Sequence, residues 1–179
     1  MEKIIETARL ILREVEDLDQ EGLFDLDSKA EVHRYIGTKP LTHLDQALDT
    51  VRLLQKQYRE NGIGRWAVID KKTQAFLGWS GLKLWKAPLN NRCNVYELGY
   101  RFIPKYWGKG YATESAQAWV DHAFEVLEIN ALYALTDPEN TSSKQVLQKV
   151  GFIEGAPFDF QGETCSWFEL PKSNWTKGK

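Results

Sequence analysis

The residues of this chain best suited to chemistry fall within one stretch, from Val95 to Phe152. At its centre Trp107-Gly108-Lys109-Gly110-Tyr111-Ala112-Thr113 follows a run rich in aromatic and β-branched residues, Val95 to Phe102, which Pro104 stops by removing a ladder donor. The two glycines allow positive φ and let a bulky anion approach the main chain. From Ala112 onward Ala116, Trp119, Val120, Ala123, Phe124 and Leu127 keep helical spacing, so a helix begins where the turn ends. Unpaired amides and the positive end of a helix dipole then converge, which is a site for phosphate. A Walker loop would need Gly-x-x-x-x-Gly-Lys-Ser/Thr, and Thr113 stands where a dinucleotide fingerprint needs its third glycine.

Upstream of the turn, strand alternation puts Val95, Glu97, Gly99 and Arg101 on one face and Tyr96, Leu98, Tyr100 and Phe102 on the other. A carboxylate at Glu97 on a central strand needs a reason to exist, and two are open: a base, or the partner of a neighbouring arginine. Glu114, in the first turn of the helix, already has a sufficient role against the dipole. Downstream, a strand over Ala131 to Thr136 leads to Asn140 and a helix over Ser142 to Val150. The Asn140 amide can serve a ligand or cap that helix, and Ser143 is either a helix-start serine or a usable hydroxyl.

With 179 residues, the chain fits one domain that buries about 70% of its unfolded surface. Lys and Arg total 23 against 25 Asp and Glu, a net charge of -2, so no electrostatic footprint for nucleic acid is present. No apolar run reaches the length of a membrane span, and the N-terminus lacks the apolar core of a signal peptide, so a cytoplasmic protein is expected. Cys93 and Cys165 make neither a disulfide framework nor a metal site, and His33, His43 and His122 are scattered singly. No metal is expected.

The remaining segments supply the frame. A strand is expected over Leu10 to Val15, helices around Leu18 to Leu26 and Glu31 to Tyr35, and a longer helix carrying Leu44 to Tyr58, capped by Thr42 and ended by Asn61-Gly62. Strands follow at Arg65 to Asp70 and Ala75 to Trp85, and a final hairpin pairs Phe152 to Phe160 with Thr164 to Leu170 around Gln161-Gly162. The fold class is α/β (α+β), one mixed central sheet of about seven strands covered by helices. One domain over residues 1–172 is expected, then a polar tail over 173–179 that frays.

The sequence resembles the GNAT N-acetyltransferases over nearly its whole length. Their coenzyme signature, Gln/Arg-x-x-Gly-x-Gly/Ala, is matched in its last three defined positions by Gly108, Gly110 and Ala112. Trp107-Gly108-Lys109-Gly110-Tyr111-Ala112-Thr113-Glu114 looks like the RimJ/RimL branch, as do Asn140-Thr141-Ser142-Ser143, Lys149-Val150-Gly151-Phe152 and the opening Glu6 to Arg13. The resemblance implies that the strands carrying Tyr100 and Leu135 are parallel and splay apart for acetyl-CoA. It implies main-chain contacts from Phe102 and Ile103 to the pantetheine arm, with Asn140 beside it. Amides from Gly108, Lys109, Gly110, Tyr111, Ala112 and Thr113 would hold the pyrophosphate, with charge from Lys109 and Lys149 or with those lysines solvated.

The implied chemistry is acetyl transfer to a primary amine, either a protein N-terminus or a small molecule, by direct attack in a ternary complex. Glu97 is the candidate base. Many related enzymes carry a tyrosine as acid where this chain has Leu147, and Ser143 matches the serine given that role in the RimL-like branch. A non-catalytic module that binds acyl-CoA is the alternative. The acidic run from Glu14 to Glu31 could draw a cationic amine to the mouth or be the solvated face of a helix. Tyr35, Trp79 and Trp85 are candidates for the acceptor groove or the core. A monomer or homodimer is expected, with no nucleic-acid or membrane partner.

Overall fold

The computed structural model describes residues 4–176. The strands are β1 (Ile4–Glu6), β2 (Leu10–Arg13), β3 (Arg65–Asp70), β4 (Phe76–Trp85), β5 (Val95–Phe102), β6 (Ala131–Thr136), β7 (Ile153–Glu154), β8 (Phe158–Phe160) and β9 (Glu163–Pro171). The helices are α1 (Gln20–Asp27), α2 (Leu44–Asn61), α3 (Tyr111–Glu125) and α4 (Thr141–Lys149), with short 3-10 turns at Asp17–Asp19, Ala30–His33, Pro104–Tyr106 and Lys172–Asn174. The sheet order is β1-β2-β3-β4-β5-β6-β9-β7, and β8 pairs with β9. Only β5 and β6 run parallel among these pairs.

Alternation along β3 accounts for the layers. Trp66 and Val68 join Leu10, Leu12, Leu82, Leu98, Trp119, Val120, Phe124 and Leu132 in a core on the α3 side. Ala67 and Ile69, one residue out of phase, join Leu23, Leu26, Ala47, Val51, Leu54 and Trp79 under α1 and α2. The expected α/β sheet covered on both faces is therefore present. β1, three residues long, is the strand outside the expected set, and β7 and β8, two and three residues long, lie within one expected strand.

Several expectations need correction. Thr42 does not cap α2; His43 is the capping position, and the Gln46 side chain accepts from the amides of Thr42 and His43 at 2.8 and 3.0 Å. The strand expected over Phe152 to Phe160 divides into β7 and β8 because Pro157 offers no ladder donor, and the Gly155 amide bonds the Trp167 carbonyl at 2.8 Å instead. Part of the tail does not fray: Trp175 lies 5.6 Å from the Phe124 ring and donates its indole N–H to Asp121 at 2.9 Å. The rest of that expected tail, 177–179, lies outside the described residues.

Candidate active site

A gap between β5 and β6 follows from how each strand is held. β5 pairs with β4 from Gly78↔Phe102 to Trp85↔Val95, and β6 pairs with β9 from Ala131↔Pro171 to Thr136↔Ser166. Between β5 and β6 the register holds only Glu97↔Tyr133. Each strand follows its outer neighbour, and the two part just beyond Glu97. A cavity of about 250 Å³ opens there, with Glu97, Gly99, Tyr100 and Arg101 on one side and Ala134, Leu135 and Thr136 on the other. Asn140, Ser143 and Leu147 line it from the start of α4, and Tyr35, Arg65 and Trp79 from the opposite direction.

Glu97 is 7% exposed. Its Oε2 accepts the Trp85 indole N–H at 2.5 Å, and Arg65 Nη2 reaches Oε1 at 3.5 Å. The arginine partner anticipated for Glu97 exists, but the contact is long. Arg65 lies 4.7 Å from the Trp79 ring centre, and Arg101 lies 5.1 Å from the same ring while donating to Asp27 at 2.6 Å. Burial pushes the Arg65 pKa down, Glu97 opposes that shift, and Arg101 adds to it. Lys83 is pushed down by burial and by Arg65, with Glu97 opposing.

On the other side, Asn140 caps α4, its Oδ1 accepting from the Ser143 amide at 3.1 Å. Tyr100 is a residue the sequence reading passed over. Its hydroxyl bonds the Ser143 carbonyl at 3.0 Å and the Ser143 Oγ at 3.2 Å. Burial raises its phenol pKa well above the ordinary value, with the Ser143 bond opposing. The signal was a tyrosine between Leu98 and Phe102 on the core-facing side of a strand, where a hydroxyl must find a partner. Glu97, Asn140 and Ser143 thus share one cavity, while Phe102, Ile103 and the turn residues lie outside its lining.

The turn sits at the carboxyl end of β5. Gly108 and Gly110 have φ of 71° and 81°, a left-handed conformation that favours glycine. Gly110 is the capping position of α3, so the amides of Tyr111, Ala112 and Thr113 lie in its first turn. A Cβ at Gly108 would meet nothing within 4 Å, so the main chain is open on that side, as a pyrophosphate would require. Trp107, which departs from the usual Gln/Arg, donates its indole N–H to the Phe102 carbonyl at 2.6 Å and closes the turn onto the strand end. The Ile103 amide donates to Leu77 at 3.0 Å and its carbonyl accepts from Tyr106 at 2.9 Å.

Arg9 and Glu114 fasten this turn to β2. Glu114 accepts from Thr7 Oγ1 at 2.5 Å, from the Arg9 amide at 2.9 Å and from Arg9 Nε at 2.6 Å. Arg9 Nη1 also holds the Lys109 carbonyl at 3.0 Å, and its guanidinium carbon lies 4.4 Å from the Tyr111 ring centre. Burial pushes the Glu114 carboxyl up, but these bonds outweigh it and hold the pKa below 4.5.

Other candidates separate from the site. In the acidic run, Asp19 pairs with Arg13 at 2.7 Å and Asp27 with Arg101 at 2.6 Å inside the fold, while Asp25 pairs with Lys29 at 2.9 Å on the surface, so these charges are matched. Lys149 is exposed, and His33 and His43 serve local backbone geometry. Cys165 lines the cavity with its thiol pKa pushed up by burial and nearby carboxylates. Among the described residues no cluster could hold a metal ion, and no helix is long and apolar enough to cross a membrane.

Residues 9–153 match the family model described as "Acetyltransferase (GNAT) domain". The chain belongs to the GNAT acetyltransferase family. This GNAT chain is 32% identical over 149 residues to the uncharacterized N-acetyltransferase YoaA of Bacillus subtilis (strain 168), covering 83% of this chain and 82% of that one. It is 30% identical over 145 residues to spermidine N(1)-acetyltransferase of Escherichia coli (strain K12), covering 80% and 73%. Among solved structures, a GNAT-family acetyltransferase from Bacillus anthracis superposes with a TM-score of 0.79 at 25% identity, over 95% of this chain and 99% of that one. The ribosomal-protein acetyltransferase RimL, in complex with Coenzyme A, superposes with a TM-score of 0.78 over 94% and 97%, and at 16% identity it speaks to the fold alone.

Proposed function

We propose that this GNAT protein moves the acetyl group of acetyl-CoA to a primary amine by direct attack in a ternary complex. The observation that carries the reading is the parting of β5 and β6 just beyond Glu97, which lets a buried carboxylate and the Ser143 hydroxyl face one cavity. When bound, acetyl-CoA supplies an acetyl group activated as a thioester. Amides from Gly108 to Thr113 hold its pyrophosphate, Lys109 adds charge, and Phe102 and Asn140 flank the pantetheine arm.

Glu97 takes the proton that the amine gives up as its nitrogen bonds the acetyl carbon and the carbon–sulfur bond breaks. Trp85 fixes the carboxylate for that task. Ser143, oriented by Tyr100, gives a proton to the departing sulfur; solvent takes the proton from Glu97 and resupplies Ser143. A thiol pKa of about 8.5 asks little of that acid, so a serine suffices. Holding both reactants in one cavity supplies much of the acceleration.

The spelling of the turn and the placement of Ser143 support the RimJ/RimL branch. The acceptor is then a protein N-terminus or a small amine, the latter in keeping with a relative named for spermidine. The test is thiol release from acetyl-CoA against N-terminal peptides, polyamines, amino acids and aminoglycosides. Acceleration by at least one amine is expected; tight acetyl-CoA binding with no acceleration by any would make the protein a sensing module.

A further inference from the structure

The cavity holds two guanidinium groups that the transfer chemistry does not use. Arg65 enters from β3 and Arg101 from β5, and both lie against Trp79. Arg65 is incompletely paired with acids. Arg65 reaches Glu97 only at 3.5 Å, the outer limit of a hydrogen bond, and its Nε is buried with no partner. A buried donor left without an acceptor is costly, and the cost is recovered when a ligand supplies one. Arg101 engages Asp27 through Nη1.

Gly99 keeps space open beside them. It stands between Glu97 and Arg101 on the same face of β5, and a Cβ there would lie 3.4 Å from Arg65 Nε and 3.5 Å from the Trp79 ring. The remaining acids of the lining are Glu163, exposed at the rim, and Asp137, whose Oδ1 accepts the Glu139 amide at 2.7 Å. A cavity of about 250 Å³ with guanidinium forks and carboxylates on its walls suits a small molecule carrying both charges. A long polycation would set its own charge against Arg65.

We infer that Arg65 and Arg101 recognise a carboxylate on the acceptor, so that the acceptor is a small, amino-acid-like amine with its nitrogen toward Glu97. This rests on the acetyl-transfer reading of the same cavity. A planar guanidinium fork matches a carboxylate, whereas a neutral carboxamide would leave Arg65 short of an anionic acceptor. The proposal makes Arg65 a specificity-determining residue and gives it no part in the proton path.

The test is calorimetric titration of N-acetyl amino acids and their carboxamides into the coenzyme A-saturated protein, alongside thiol-release assays with the parent amines. At least one acid should bind about tenfold or more tightly than its amide. In Arg65→Gln that preference should fall below about twofold with coenzyme A affinity unchanged. Gly99→Val keeps both arginines and places a branched side chain against Arg65, so it should lose the preference even if Arg65→Gln fails to fold. Peptides with acidic first residues, blocked as C-terminal amides, separate a free amino acid from an acidic N-terminus; binding restricted to those peptides would overturn the small-molecule assignment. Absence of any acid-over-amide preference, or an undiminished preference in the folded variants, would overturn the arginine site. Spermidine acetylated as fast as every amino acid would overturn it too and leave acetyl transfer standing. Acid preference in binding with no thiol release from any amine would keep the arginine site and remove the transfer reading.

Discussion

Arg9 and Glu114 meet at 2.6 Å although 105 positions separate them, and their contact ties the first strand pair to the first turn of α3. The turn proposed to bind pyrophosphate is therefore held from outside, by a side chain that also grips the Lys109 carbonyl. Arg9→Gln should cost about 0.5–1 kcal/mol, because Arg9 is 44% exposed and solvent screens the pair. The affinity for acetyl-CoA should fall with it as the turn loosens. Thermal melts and calorimetry check both; unchanged coenzyme affinity would show that the turn keeps its shape unaided.

Acid should undo the same contact. A carboxylate whose folded pKa lies below its ordinary 4.5 stabilises the fold at all higher pH, and that contribution is lost as pH falls through the folded pKa. Glu114→Gln should be less stable than the wild type near neutrality, and the gap should shrink as pH drops well below 4.5. Parallel denaturation curves measure the gap, and a difference constant with pH would mean that charge at Glu114 contributes nothing.

Gly110→Val should weaken coenzyme binding by about tenfold or more, since a branched side chain resists positive φ and obstructs a phosphate. At φ of 81° its Cβ would also stand 3.4 Å from Arg9 Nη2. Gly108→Ala meets no neighbour within 4 Å, so its cost should be backbone strain of about 1–2 kcal/mol. Calorimetry on folded variants separates the two.

Tyr100→Phe removes a buried hydroxyl from the Ser143 carbonyl and Oγ. Stability should drop by about 1 kcal/mol. If Tyr100 orients Ser143, kcat should fall while KM for acetyl-CoA holds. Ser143→Ala should cost less than any change at Glu97, because the thiolate leaves readily. A Tyr100→Phe enzyme with wild-type kcat would reduce that bond to packing.

The observed bounds of β3, β5 and β6 are those expected from the sequence, so local pattern was enough for them. Strand alternation named Glu97 and the Asn140 to Ser143 motif named Asn140 and Ser143, which the parting of β5 from β6 brings to one cavity. Arg65, Tyr100 and Arg9 were not legible as a set. Arg65 lies 32 positions from Glu97, Tyr100 lies 43 from Ser143, and Arg9 lies 105 from Glu114, so each depends on tertiary pairing that no local period encodes. The divided final hairpin failed for the opposite reason: Pro157 is a local signal, and the apolar run around it outweighed that signal.

The measurement that tests acetyl transfer at this cavity most directly is single-turnover thiol release by Glu97→Gln with an amine that the wild type accepts. The substitution keeps shape and hydrogen bonding and removes basicity. The account predicts a rate near neutral pH lower by about 10²- to 10⁴-fold, acetyl-CoA affinity nearly unchanged, and a flattened acid limb in the kcat/KM profile. Wild-type turnover with an unaltered pH profile would contradict it and leave Glu97 as the ion-pair partner of Arg65.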